Sequence, residues 1–190
     1  MRLFAAVLPP EEATAALAVE VDVLRRLPGA DGLRWTGRTG WHFTLAFYGE
    51  VDDELVPELS ERLERAARRT EPFGLALRGG GHFGHGRALW VGAEGDLATL
   101  RLLAERAESA GRKAGVAPGE HRRYKPHLTL ARSRAAHDVR PHLAVLDGFT
   151  GPAWTVTELV LVRSRLPKSG VPGEQPRYEA VGRSPLGASG

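Results

Sequence analysis

One short pattern occurs twice in this chain of 190 residues, and it narrows the available folds more than any other feature. Trp41-His42-Phe43-Thr44-Leu45 and Pro126-His127-Leu128-Thr129-Leu130 both read His-x-Thr-Leu within a run of strand character. Equivalent apolar positions flank the two copies at matching distances. Phe4 precedes His42 by 38 residues and Trp90 precedes His127 by 37; Leu75 follows His42 by 33 and Leu159 follows His127 by 32. Each half therefore reads strand, helix, histidine-bearing strand, helix, strand, which is a duplication at the level of structure. Two β/α units that each bury one sheet face can pack as two lobes around a shared cleft. A chain of this length holds one domain or a tightly fused pair of small lobes.

The first strand is expected over residues 2–8. Pro9-Pro10-Glu11-Glu12 then opens a helix whose inner face is Leu17, Val21, Leu24 and Leu27, and Pro28-Gly29 closes it. A brief strand over 33–36 precedes the motif strand over 41–48. Asp52-Asp53-Glu54 opens a second helix with Leu55, Leu59, Leu63 and Ala66 inward. Residues 73–78 alternate as a strand, and a Gly-rich loop is expected over 79–86. The second half gives a strand at 88–91, a helix over 96–114, the motif strand over 127–131, a short helix over 139–146 and one long strand over 154–162. An edge strand is expected at 178–181. The domain then spans 1–181, with its halves at about 1–80 and 88–165, and the small polar tail 182–190 is expected to be disordered.

Side chains alternate faces along a strand. His42, Thr44 and Ala46 should share one face, and Phe43, Leu45 and Phe47 the other. His127, Thr129 and Ala131 should likewise oppose Leu128 and Leu130. Strict alternation sends Arg132 to that apolar face, away from His127. The His/Thr faces must look onto something polar, because each unpaired buried donor or acceptor costs roughly 1–3 kcal/mol. Two imidazoles facing one cleft suit acid–base catalysis, since with an ordinary pKa near ~6.5 one can be neutral and the other protonated. The neutral ring removes a proton from a nucleophile and the charged ring gives one to a leaving group. Threonine hydroxyls and a guanidinium can hold the non-bridging oxygens of a phosphate. In-line displacement at phosphorus needs base and acid on opposite sides, which a two-fold-like pair of strands supplies.

Composition removes several other chemistries. With no cysteine, disulfides, thiol catalysis, Cys-ligated zinc and iron–sulfur clusters are excluded. No apolar run approaches the ~18 residues of a membrane span, and the opening MRLFAAVLPPEE lacks the apolar core of a signal peptide, so a cytoplasmic protein is expected. The net charge is +3, but Arg112 to Arg134 carries seven basic residues against one acid, Glu120, a local field suited to an anionic partner. Arg122, Arg123 and Lys125 lie just before the second motif, placed to guide a nucleic-acid backbone. His82 and His85 have His-x-x-His spacing in GGGHFGHG, but with no acid in that loop no metal is expected. The loop also lacks the Gly-Lys-Ser/Thr of a nucleotide cradle, so no cofactor of that kind is expected. His121, His137 and His142 read as surface residues. Trp35, Phe47, Tyr48 and Tyr124 flank the motifs and could stack on a base, although packing in the core or rim is the expected role of each.

WHFTLAFYGE and YKPHLTLAR, with LVRS further on, resemble the two-histidine phosphoesterase superfamily. RLFAAVLP, LRW and FGHGRALWVG extend the resemblance from Arg2 to about Val181. Within that superfamily the chain is most similar to the LigT-like RNA 2′,3′-cyclic phosphodiesterases, also known as 2′-5′ RNA ligases. The resemblance implies an α+β fold, a bilobal duplicated β/α unit with two antiparallel sheets facing a central cleft and helices outside. It implies hydrolysis of an RNA 2′,3′-cyclic phosphate end to a 2′-phosphate, without metal or nucleotide cofactor. His42 and His127 fall on the catalytic histidines, with His42 as acid for the leaving 3′-oxygen and His127 as base for water. Thr44 and Thr129 fall on phosphate-binding hydroxyls and Arg132 on the arginine closing the second motif. Arg163 and Ser164 match a position near the cleft. The expected partner is RNA with a cyclic-phosphate end, with no membrane and no obligate protein partner, and the protein is expected to be a monomer. Ligation by the reverse reaction and RNA-end binding without turnover are the alternatives.

Overall fold

The computed structural model describes residues 1–116, 123–171 and 174–187. In chain order its elements are β1 (Arg2–Val7), α1 (Glu11–Leu24), β2 (Arg34–Trp35), β3 (Phe43–Glu50), α2 (Val56–Arg68), β4 (Phe73–Phe83), β5 (Ala88–Gly95), α3 (Leu97–Lys113), β6 (Leu128–Arg132), α4 (Arg140–Leu146), β7 (Trp154–Val156), β8 (Glu158–Arg165) and β9 (Arg177–Pro185). The strands form a four-stranded sheet, β3-β1-β8-β9, and a five-stranded sheet, β2-β6-β5-β4-β7. Every pairing within them is antiparallel. The fold is α+β and bilobal, as the resemblance implied. The two halves exchange strands: β4 of the first half lies between β5 and β7, and β8 of the second half joins β1.

Each sheet buries one face against helices. On β1 the core residues Leu3, Ala5 and Val7 alternate with Phe4 and Ala6, which join Val160 and Val162 in a small separate cluster on the other face. α2 and α3 pack together and against the four-stranded sheet, reaching β3, β8 and β9. α4 lies on β4 and touches α1. The acid-rich start of α1 and the Asp96 cap of α3 follow from sequence; the Asp96 carboxylate accepts the Thr99 backbone N–H at 3.0 Å. Full burial of each core leucine contributes roughly 1.5–3 kcal/mol, which fixes the strand faces that the cleft then uses.

Three segments differ from the sequence expectation. The Gly-rich run expected as a loop over 79–86 continues β4 to Phe83, leaving only a tight turn before β5. Its glycines serve packing: a Cβ on Gly81 would lie 2.3 Å from the Trp90 indole, directly opposite in the ladder. The single strand expected over 154–162 is two strands that change sheets at Thr157, β7 pairing with β4 and β8 with β1. The edge strand is longer than 178–181, and the tail is not disordered over 182–187. Residues 182–185 belong to β9, Ser184 and Leu186 are buried, and the Gly187 N–H donates to the Ala67 carbonyl at 3.0 Å. Residues 188–190 lie outside the described residues.

Candidate active site

The two motif strands carry the same irregularity. In β3, Thr44 pairs with Ala6 and Ala46 with Ala5, so Leu45 is an extra residue. In β6, Thr129 pairs with Trp90 and Ala131 with Leu89, so Leu130 is the extra one. A bulge of this kind restarts the alternation of faces. Leu45 and Ala46 are both buried in the core, as are Leu130 and Ala131. Behind each bulge the next side chain returns to the face of the threonine: Phe47 beside Thr44, and Arg132 beside Thr129. This corrects strict alternation at four positions. Ala46 and Ala131 leave the His/Thr face, and Phe47 and Arg132 join it.

His42, Thr44, His127, Thr129 and Arg132 all line one cleft of about 310 Å³. His42 and His127 stand one residue ahead of their strands, and each donates Nδ1–H to the carbonyl two residues back, Gly40 and Lys125 respectively, both at 2.8 Å. That bond fixes the tautomer in which Nε2 of each neutral ring carries the lone pair. In the neutral ring of His42, Nε2 accepts from the Thr44 hydroxyl at 2.9 Å. Aromatic rings brace both histidines. Phe4 lies 4.6 Å from His42 with Tyr178 edge-on at 5.4 Å, and Phe83 stands edge-on to His127 at 4.9 Å with Trp90 at 6.1 Å. Phe4 and Trp90, the residues that matched in spacing, thus play matching parts.

Both imidazoles hold their protons less tightly than a free one. Burial is the main cause for His42, with the charges of His127 and Arg132 adding to it and the Gly40 carbonyl opposing it. Burial again leads for His127, joined by the charges of Arg132 and Lys125 and opposed by the Lys125 carbonyl. The Nδ1–H bonds favour the charged ring, so each histidine is poised to hold a proton in transit.

Of the other residues singled out in the sequence, Lys125 packs its ammonium over Trp90 at 5.1 Å and Phe83 at 5.8 Å. Arg123 is exposed, while Arg122 and His121 lie outside the described residues. Tyr48 is buried and donates its hydroxyl to the Ala107 carbonyl at 2.8 Å, and Trp35 donates Nε1–H to the Ala30 carbonyl. Tyr124 packs against the core. Only Phe47 of that group faces the cleft, 52% exposed, with the Arg2 guanidinium 4.9 Å above its ring. Ser164 lines the cleft, whereas Arg163 stands opposite Leu3 on the other face. His82 accepts the Gly86 N–H within the turn. His142 is buried, not on the surface, because α4 turns it into the interface near Trp35. Sequence reasoning missed Arg2, Thr36 and Tyr178 in the cleft wall; the alternation of Arg2 and Phe4 with core residues was the available signal for β1. Among the described residues no three His, Asp or Glu side chains cluster to share a metal ion, and no helix is long and apolar enough to cross a membrane.

Two lobes that each offer a His-x-Thr strand to a common cleft define the fold of the two-histidine phosphoesterases. Within it, the chain belongs to the 2′-5′ RNA ligase superfamily, whose family model matches residues 9–167. It is 37% identical over 178 residues to an RNA 2′,3′-cyclic phosphodiesterase of Thermus thermophilus, covering 90% of this chain and 85% of that protein. The crystal structure of TT0787 from Thermus thermophilus superposes with a TM-score of 0.76 at 31% identity, over 100% of both chains. E. coli LigT in its apo form superposes with a TM-score of 0.77 at 26% identity, over 98% of this chain and 97% of that one.

Proposed function

We propose that the protein is an RNA 2′,3′-cyclic phosphodiesterase that converts the cyclic end to a 2′-phosphate by acid–base catalysis between His42 and His127. The observation that carries this reading is the pair of histidines, each with Nε2 left as the basic nitrogen by an Nδ1–H bond to a backbone carbonyl, lining one cleft with two threonines and an arginine. Relatives named for the same activity support it.

In the reaction, Nε2 of neutral His127 takes a proton from water as the water oxygen bonds to phosphorus. The bond from phosphorus to the 3′-oxygen breaks on the opposite side, and Nε2–H of protonated His42 supplies the proton to that oxygen. The 2′-oxygen keeps the phosphate. Thr44 and Thr129 donate to the non-bridging oxygens, and the Arg132 guanidinium balances the charge that builds on them. Because acid, base and charge stabiliser all come from this chain, the step runs without metal or nucleotide. The enzyme works as one bilobal domain and a cytoplasmic monomer. Lys125 and Arg123, next to the second motif, draw in the RNA backbone.

His42→Ala and His127→Ala test the assignment with a nucleoside 2′,3′-cyclic phosphate. Each variant should fold as the parent does and lose at least about 100-fold in kcat, the low end for removal of a general acid or base. Near-parental turnover by either variant rejects the mechanism.

A further inference from the structure

The two walls of the cleft match in backbone and differ in chemistry. Behind its bulge the four-stranded sheet offers Phe47, with Phe4 directly opposite in the ladder. The five-stranded sheet offers Arg132, with Ala88 opposite on one side and Arg34 opposite on the other. Directly opposed residues of an antiparallel pair share a face, with Cα atoms roughly 4.5–5.5 Å apart. Arg34 therefore extends the cationic floor outward from Arg132 to β2, the edge strand of that sheet.

This juxtaposition is unfavourable on its own, since like charges directly opposite destabilise a sheet. Among the described residues no ion pair engages either guanidinium. Arg34 is exposed, and its strand is fixed in place. Trp35 turns the other way and anchors Nε1–H on the Ala30 carbonyl at 3.1 Å, and the Thr36 N–H donates to the Leu130 carbonyl at 2.8 Å. Two arginines without acidic partners, directly opposed in the ladder and so on one face, one of them already lining the catalytic cleft, fit two successive phosphates of one strand.

We propose that Arg34 binds the phosphodiester immediately 5′ of the terminal nucleoside while Arg132 holds the cyclic phosphate, so that the enzyme selects oligonucleotide ends over mononucleotides. This rests on the function proposed above. The terminal nucleoside then lies toward the apolar wall of Phe4 and Phe47.

The test uses a dinucleotide with a 2′,3′-cyclic phosphate end, made with either a normal internal phosphodiester or an uncharged methylphosphonate, beside the nucleoside 2′,3′-cyclic phosphate. The parent enzyme should favour the charged linkage by about tenfold or more in kcat/KM, as for a charge-assisted hydrogen bond. Arg34→Gln should lose that preference and still hydrolyse the mononucleotide as the parent does. Its salt dependence on the charged dinucleotide should flatten by about 0.7 in log–log slope, one single-strand phosphate contact. A preference retained in Arg34→Gln, or an equal loss on dinucleotide and mononucleotide, overturns the proposal. Failure of the parent enzyme on all three substrates overturns instead the cyclic-phosphodiesterase reading beneath it.

Discussion

Gly81→Ala perturbs the site through one methyl group that reaches His127 only by way of Trp90. The new Cβ would meet the Trp90 ring at 2.3 Å, 2.4 Å and 2.9 Å, where an unstrained contact needs 3.4 Å or more. The indole must retreat by about 1 Å, and an error of that size at a catalytic group can reduce rate on the order of 100-fold. Trp90 has little room to yield. It stacks near Phe83 at 5.3 Å, carries Lys125 over its face and stands 6.1 Å from His127, so its movement is passed to that imidazole. Overpacking also costs about 1–3 kcal/mol of stability. Gly74→Ala on the same strand is the control, because no atom lies within 4 Å of its Cβ. The assay is kcat/KM on a nucleoside 2′,3′-cyclic phosphate, with thermal unfolding of both variants. The expectation is a roughly 100-fold loss for Gly81→Ala and near-parental behaviour for Gly74→Ala. Parental activity in Gly81→Ala, with an unchanged Tm, would refute the claim that Trp90 sets the position of His127.

Because burial lowers the proton affinity of both His42 and His127, the singly protonated free enzyme should peak below the ordinary imidazole pKa of about 6.5, and kcat/KM should decline above it. Arg132 lowers both groups, so Arg132→Gln should move that alkaline limb to higher pH while reducing the rate; an unmoved limb contradicts the assignment. His142 is buried, its proton affinity lowered first by burial and then by the charge of His137; the Leu24 backbone and the charge of Asp138 oppose this, but neither ring nitrogen is in hydrogen-bond geometry. Its native pKa lies below the unfolded one, so the stability it permits is complete above about pH 6.5 and falls as pH drops below that value. His142→Leu should therefore raise Tm, by about 2–4 °C for each of the ~1–3 kcal/mol that unpaired buried groups cost. It should also flatten the loss between about pH 6.5 and 5 in thermal melts, and a steeper loss would contradict this sign.

The duplicated His-x-Thr was legible in sequence because the same pattern recurs at matching distances from flanking apolar positions, and the fold brings both copies to one cleft. The bulges were not, since a pattern of period two carries no mark of a single extra residue. The only trace is that both motifs continue Thr-Leu-Ala, and two consecutive buried residues are what a bulge demands. Strict alternation turns Arg132 away from His127 unless the strand bends near Ala131, and the bulge at Leu130 is that bend. The run Gly79 to Phe83 reads as a loop by composition, yet the bulk of Trp90 across the ladder requires glycine within a strand. The break at Thr157 is equally silent, because both halves of that apolar run face a core, each in a different sheet. His142 was misread because its burial depends on how α4 meets its neighbours, a tertiary fact.

The central claim is that His42 and His127 supply both proton transfers with no metal. It is tested most directly by incubating a short RNA ending in a 2′,3′-cyclic phosphate with the enzyme in excess EDTA and identifying the end formed. The account predicts complete conversion to a 2′-phosphate at an unchanged rate. A 3′-phosphate product, or turnover that returns only on adding a divalent cation, would contradict it.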